Sequence, residues 1–540
     1  MDDTPKDDQF ECACKEIIKL LIEQPTFPKE KMTELKNRIL KKYAIARTMK
    51  NSEILEYATE DELEIILPIL RRRSTRTISG VTVVAVMTKP LDCPGKCLYC
   101  PGSDSQPGEK AAQSYTGQEP AAKRSIIYGY DAYLQTRHRL LDLQAIGHKT
   151  DKVEIILMGG TFLSAPESYQ IEFVKKCYDA IINFNDPGDH PILSDSFDET
   201  LNAAESSNIR IVGLTIETRP DYCQSSHIDK ILSYGGTRVE IGIQTTRETI
   251  LKNLNRGHTI QDSIDAIRGA KDAGLKVNAH IMPNLPGSTP EEDYEDFLNL
   301  FRNPDFRPDM LKIYPTLVVK GTKLYDMWLK GEYISYPLDT MINLIARMKS
   351  KIPKYVRIQR IQRDIPAYLI QAGVKKSNLR QLVQQRLHEM HEECHCIRCK
   401  EHGFTRKTNL GLIDASLERM DYEASRGNEI FLSYEQNNTI LGYLRLRKPS
   451  EQVHRVELRD NTMIVREIRV VGELVPRMEK PLQNQVQHRG FGQQLLSKAE
   501  DIARNEFDMK KLSVISGVGV REYFYNLGYR LDGVYMSKLL

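Results

Sequence analysis

Six short apolar runs recur between residues 81 and 316, and they constrain the fold more than any other feature of the chain. They read "VTVVAVMT", "KVEIILMGG", "IVGLTIETRP", "RVEIGIQTT", "LKVNAHIMP" and "MLKIYPT". Segments between them, such as "YDAYLQTRHRLLDLQAIG" and "DSIDAIRGAKDAG", have helical period and stop at glycine. Strands alternating with helices imply a parallel sheet, closed or nearly closed into a barrel. In such barrels chemistry gathers at the C-terminal ends of the strands. Gly159, Gly160, Glu217, Arg219, Gln244, His280 and Asn284 fall there.

With 540 residues, the chain outgrows one core, since cores rarely exceed about 250–300 residues. Residues 1–78 read as helical, because "ECACKEIIKLLIEQ" and "MTELKNRILKKYAIA" place apolar residues three and four apart. Residues 79–385 hold the barrel, and residues 386–410 form a linker. In residues 411–540, long strands with hairpin turns precede a helix entered through a Gly-rich turn, "QHRGFGQQLLSKAEDIARNE". The expected fold class is α/β: a partial six-stranded barrel with a helical N-terminal segment, fused to a smaller α+β domain. The start, "MDDTPKDDQF", is acidic and no long apolar run occurs. A cytoplasmic protein without membrane contact is therefore expected.

The net charge of +3 hides local asymmetry. One basic run contains Lys36, Lys41 and Lys42, another Arg71, Arg72 and Arg73, and a third Arg357, Arg360 and Arg363. Each run alone reads as a solvated face. Three together point to phosphate backbones, and so to nucleic acid.

Six of the ten cysteines lie in two tight groups, which argues for metal and against a disulfide framework. In "CPGKCLYCPGS", Cys93, Cys97 and Cys100 have no fourth Cys or His near them; the nearest histidine is His138. Zinc would need that fourth ligand. Three thiolates and one open position suit an iron–sulfur cubane with one iron free. The second group, Cys394, Cys396 and Cys399, lies among His388, His391, His395 and His402. It reads as a zinc clip between domains, its fourth ligand unassigned. Cys12 and Cys14 read as ordinary helix residues, and Cys177 and Cys223 as small buried hydrophobes.

C-x-x-x-C-x-x-C after the first strand of such a barrel resembles the signature of radical S-adenosylmethionine enzymes, and Tyr99 matches an aromatic common there. The resemblance implies a [4Fe-4S] cluster and S-adenosylmethionine, with Gly159, Gly160, Gln244 and His280 as contacts to the latter. "QHRGFG" after a long strand is similar to the pyrophosphate turn of GNAT acetyltransferases, and Tyr523 to the tyrosine near their acetyl-CoA sulfur.

Both halves together, with "CLYCPG", "GLTIETRPDYC", "RIQRIQRDIP" and "GYRLDGVYMSKLL", resemble the catalytic subunit of Elongator and its archaeal stand-alone forms. That resemblance implies carboxymethyl-type modification of a tRNA wobble uridine. A hydrogen is taken from the acetyl methyl of acetyl-CoA, the carbon adds to uracil, and thioester hydrolysis frees coenzyme A. It places acetyl-CoA against Lys152, Glu467, Ile468, Arg469, Val470, Gly490, Phe491, Gly492 and Tyr523, with Lys152 and Tyr523 in catalytic roles. It also implies binding of the tRNA anticodon stem-loop by the basic runs, and leaves further subunits or self-association open. Two other readings remain: a lysine acetyltransferase with a structural cluster, and a tRNA-binding scaffold without catalysis.

Overall fold

A computed structural model describes residues 8–71, 77–101, 111–186, 191–404, 415–475 and 485–540. Four helices, α1 (Asp8–Glu23), α2 (Met32–Lys42), α3 (Asn51–Glu56) and α4 (Glu60–Leu70), pack around a separate small core that includes Phe10, Ile17, Leu21, Leu35, Ile39 and Ile66. Thr59 caps α4: its hydroxyl accepts from Glu62 N while the Glu62 carboxylate accepts from Thr59 N. Such a box stabilises a helix end by about 1 kcal/mol. Cys14 is buried in this core and Cys12 is exposed, so the two form no ligand pair.

The first basic run divides here. Lys36 is buried, and its ammonium donates to Met49 O and Asn51 Oδ1, both at 2.9 Å. It closes the helical core and cannot reach a phosphate, which corrects the expectation for this residue. Lys42 is exposed and salt-bridged to Glu16 at 2.7 Å; Lys41 is exposed. Arg71 is half-buried, while Arg72 and Arg73 lie outside the described residues.

The barrel strands are β1 (Thr82–Met87), β2 (Lys152–Met158), β3 (Arg210–Thr218), β4 (Arg238–Gln244), β5 (Lys276–Ile281) and β6 (Met310–Ile313). A short antiparallel pair, β7 (Val318–Val319) with β9 (Ile370–Ala372), sits beside β8 (Arg357–Ile361). All pairs in the order β1-β2-β3-β4-β5-β6-β8 are parallel, and β8 does not pair with β1 among the described residues. The sheet is thus an open, curled barrel. Its seventh strand was missed in the sequence because "RIQRI" reads as a basic run. On β2, Val153, Ile155 and Leu157 are fully buried, each contributing about 1.5–3 kcal/mol. No described helix is long and apolar enough to cross a membrane.

A second sheet holds β10 (Ser416–Ala424), β11 (Gly427–Gln436), β12 (Thr439–Lys448), β13 (Thr462–Val470), β14 (Lys511–Val514), β15 (Arg530–Asp532) and β16 (Tyr535–Leu539), in the order β10-β11-β12-β13-β14-β16-β15. The β11–β12 hairpin turns at Asn437 and Asn438, both with positive φ, the geometry a two-residue hairpin loop favours. β13 is antiparallel to β12 but parallel to β14, and the β14 register ends at Val465 with Val514. Residues 466–470 therefore run on without a strand partner on that side, opening a crevice.

The barrel and the second sheet meet through buried charge. Arg466 bonds both oxygens of Asp309 at 2.6 and 2.8 Å and Glu429 at 2.8 Å. Arg447 bonds Asp272 at 2.6 Å and Glu429 at 3.0 Å. The linker is stitched to both sides: Ile397 N donates to Val356 O, and His402 N to Ile440 O, each at 2.9 Å.

Candidate active site

The loop leaving β1 carries Cys93, Cys97 and Cys100 over the C-terminal ends of the strands, where all three line one cavity. Each sulfur meets donors. Gly95 N lies 3.4 Å from Cys93, Arg256 Nη1 3.3 Å from Cys97, and Gln113 Nε2 3.2 Å from Cys100. Burial pushes the Cys100 thiol up, yet a bound metal ion deprotonates a thiol outright. Two groups of three ligating side chains close to within 4.8 Å among the described residues, and this trio is not one of them. A single ion needs ligand atoms that near. Three thiols lining one cavity with an N–H donor at each sulfur form a donor set that fits an iron–sulfur cluster, whose thiolates sit on different irons.

Gly160, Gln244 and His280 line the same cavity. Gly159 precedes Gly160 at φ 130°, where a Cβ would fall 2.0 Å from Thr88 Oγ1, so only glycine fits. Gln244 has φ 68°, and its Oε1 is buried without a hydrogen-bond partner. A non-glycine residue held there costs about 1–3 kcal/mol and marks functional sites. An unpaired buried acceptor facing a cavity suits a donor on a bound ligand.

His280 Nε2 lies 2.9 Å from Glu240 Oε2, and its ring meets Tyr314 edge-on at 5.3 Å. Lys312, which sequence reasoning missed, contacts Glu240 and lies 3.4 Å from Glu217. Tyr115 donates to Glu217 at 2.9 Å. Burial works against the Glu240 carboxylate, but Lys312 and His280 outweigh it and hold the group well below its usual range. Glu217, Glu240 and His280 also cluster within 4.8 Å; the Lys312 ammonium already supplies their positive charge. The available signal was a charged residue inside each apolar run, Glu240 in "RVEIGIQ" and Lys312 in "MLKIYPT".

The third basic run also divides. Arg360 and Arg363 line the cavity, with Arg360 paired to Asp364 at 2.6 Å. Arg357 is buried and paired to Glu401 at 2.6 Å, so it fastens the linker to β8 and faces no nucleic acid. That corrects the expectation for Arg357.

A second constellation lies at the crevice beside β13. Gly490 (φ 84°) caps the helix Phe491–Asn505. A Cβ on Gly492 would fall 3.5 Å from the Tyr523 hydroxyl and 3.7 Å from Val470, so Val470, Gly492 and Tyr523 converge. Ile468 packs on the second core. The Glu467 side chain turns away, accepting from Tyr443 at 3.0 Å and Arg445 at 2.8 Å. Arg469 donates to Ser79 at 3.2 Å. For Glu467 and Arg469 only the backbone edge remains for a ligand. Phe524 is buried against Tyr529. Lys152 opens β2 at the end away from the cysteines, roughly 20 Å along the strand from Met158 at about 3.3 Å per residue. It pairs in register with Arg210, which bonds Glu522. Lys152 thus stands away from the cysteine cavity, on the side of the barrel where Arg210 meets Glu522.

Cys394, Cys396 and Cys399 converge within 4.8 Å. No described histidine joins them, and the His402 Nδ1 faces Gly472 instead, 3.1 Å from where its Cβ would stand.

A parallel open barrel with three clustered cysteines above its strand ends defines a radical S-adenosylmethionine enzyme. Residues 90–301 match the Radical SAM superfamily, residues 308–389 the Radical_SAM C-terminal domain and residues 10–78 the ELP3 N-terminal domain. The chain is 46% identical over 541 residues to the tRNA uridine(34) acetyltransferase of Methanocaldococcus jannaschii, covering 98% of this chain and 97% of that one. It is 41% identical over 535 residues to Elongator complex protein 3 of Homo sapiens, covering 97% and 96%. The solved structure of Methanocaldococcus infernus Elp3 with an N-terminal deletion superposes with a TM-score of 0.75 at 43% identity, covering 86% of this chain and 100% of that one. The chain belongs to the Elongator complex protein 3 family.

Proposed function

We propose that this enzyme acts in the cytoplasm on the wobble uridine of tRNA, attaching a carboxymethyl-type group drawn from acetyl-CoA to the uracil 5-carbon. The observation that carries the reading is the pairing of two sites in one rigidly joined chain. One is a cysteine-lined cavity with Arg360 and Arg363 on its wall. The other is a glycine turn at a helix N-terminus beside the β13 crevice. When bound, the [4Fe-4S] cluster and S-adenosylmethionine supply a one-electron route to a carbon radical, which the unreactive acetyl methyl needs.

The chain's own residues hold and orient. Gly159 and Gly160 bring the backbone near the cosubstrate's polar end, Gln244 offers its unpaired carbonyl, and Glu240 fixes the His280 ring. Arg360 and Arg363 attract the anticodon-loop phosphates, and an already unpaired wobble base costs little to turn inward. Exposed Lys41 at the N-terminal helices extends that positive surface. N–H groups at Gly490, Phe491 and Gly492 bind the coenzyme A pyrophosphate, the edge of residues 467–470 takes its amide arm, and the Tyr523 hydroxyl meets the thioester end. Lys152 lies on the barrel wall facing that module. Cys394, Cys396 and Cys399 hold zinc, with a fourth ligand from outside the nearby histidines. A lysine acetyltransferase would need none of the cysteine cavity or its arginines.

The test is anaerobic reconstitution with iron and sulfide, then incubation with S-adenosylmethionine, acetyl-CoA, a low-potential reductant and tRNA. Nucleoside mass spectrometry should find the carboxymethyl increment on the wobble uridine. Acetylated protein with unmodified tRNA would sink the reading.

A further inference from the structure

Arg256 reaches the cysteine loop from beyond β4. Its Nη1 donates to Cys97 Sγ at 3.3 Å and its Nη2 to Gly242 O at 2.9 Å. The residue is only 8% exposed, and no Asp or Glu of the described residues forms an ion pair with it. A buried cation without a carboxylate is costly unless another negative charge faces it. Here the group that faces it is the Cys97 sulfur, which carries negative charge once it ligates a cluster.

The surroundings are cut to fit two guanidinium groups. A Cβ at Gly242 would fall 2.7 Å from Arg256 Nη2, and one at Gly257 3.1 Å from Arg219 Nη2. A Cβ at Gly95, between Cys93 and Cys97, would fall 1.9 Å from Arg219 Nη1. That nitrogen is buried and has no hydrogen-bond partner, while the rest of the Arg219 fork grips Asp221 at 2.9 Å. Buried His258 stands beside both, held neutral by burial and the two arginines.

We propose that Arg256, with Arg219 behind it, is a positioning residue that raises the reduction potential of the cluster held by Cys93, Cys97 and Cys100. The inference rests on reading those cysteines as cluster ligands. Accepting one electron from a low-potential donor adds one negative charge to the cluster and its thiolates, and no bond forms or breaks. A fixed cation hydrogen-bonded to a ligand sulfur favours the reduced form.

An anaerobic redox titration of the reconstituted full chain, followed by electron paramagnetic resonance, tests this without S-adenosylmethionine, acetyl-CoA or tRNA. Arg256→Gln should lower the reduced-to-oxidised ratio at a fixed potential about tenfold, equivalent to about 59 mV for one electron. Arg256→Lys should stay within about threefold of wild type, since it keeps the charge. An unchanged ratio in Arg256→Gln overturns the proposal, as does an unchanged ratio with weakened S-adenosylmethionine binding, which would make Arg256 a cosubstrate ligand. If Arg256→Gln takes up no iron, Arg219→Gln decides: it removes the second buried guanidinium charge and leaves the Arg256–Cys97 bond in place, so the ratio should fall, and an unchanged ratio overturns the idea. A wild-type chain that takes up no iron overturns the cluster reading itself, whereas failure on tRNA leaves this titration untouched.

Discussion

Tyr523 shows how far single residues could be read in advance. Its place in "REYFYNLGY" pointed to the acetyl-CoA end, and its hydroxyl lies beside Gly492. Removing that hydroxyl in Tyr523→Phe should lower turnover on the order of 100-fold, measured as modified wobble uridine per enzyme, with iron content unchanged. Turnover within twofold of wild type would assign the hydroxyl no role. Cys93, Cys97 and Cys100 were legible because ligand spacing is local in sequence. The set of Glu240, His280 and Lys312 was not, because its members come from different strands and meet only when the sheet curls. Lys36 and Arg357 were misread for the converse reason. A basic run reports charge, but burial against Asn51 and Glu401 is a property of the fold.

Among the elements, five of the six interstrand pairings within the barrel join the expected runs, since β-branched stretches and glycine stops mark parallel strands. β8 escaped because Ile358 and Ile361 stand three residues apart, across a register shift opposite Leu311 and Lys312, so its run of arginines and glutamine shows no strand alternation. The helix Pro290–Arg302 carries a testable feature. Asp293 accepts from Asn284 N at 2.6 Å and Tyr336 at 3.0 Å, yet burial pushes its carboxyl up to about 6. An unfolded Asp titrates near 3.9. Between these values the folded chain keeps a proton that the unfolded chain has lost, so this group's contribution to stability falls as pH rises from about 4 to 6. The fall is at most about 3 kcal/mol at about 1.4 kcal/mol per pH unit. Urea denaturation from pH 4 to 7 should show wild type losing stability relative to Asp293→Asn. A difference that is flat or rises with pH would refute this account.

At the scale of the whole molecule, the buried charges between barrel and second sheet make one body of two modules. Arg466→Met takes the bidentate cation from Asp309 and leaves Lys271 at 3.3 Å, while Glu429 keeps Lys271 and Arg447. With those charges still present the cost should stay below the roughly 3–5 kcal/mol of a fully broken buried pair. Chemical denaturation should then split one transition into two, the second sheet melting first; a single unshifted transition would mean that the network contributes nothing. This coupling was invisible in the sequence, where Asp272, Asp309, Glu429, Arg447 and Arg466 are widely separated. It matters for function because the acetyl group must be held fixed relative to the cysteine cavity for a carbon on one module to react within the other. The most direct measurement uses acetyl-CoA deuterated in its methyl group, with reconstituted enzyme, S-adenosylmethionine, reductant and tRNA. If the abstracted hydrogen comes from the acetyl methyl, deuterium appears in the released 5′-deoxyadenosine and the two-carbon addition on the wobble uridine retains deuterium. Modified uridine with no deuterium in 5′-deoxyadenosine would contradict the account.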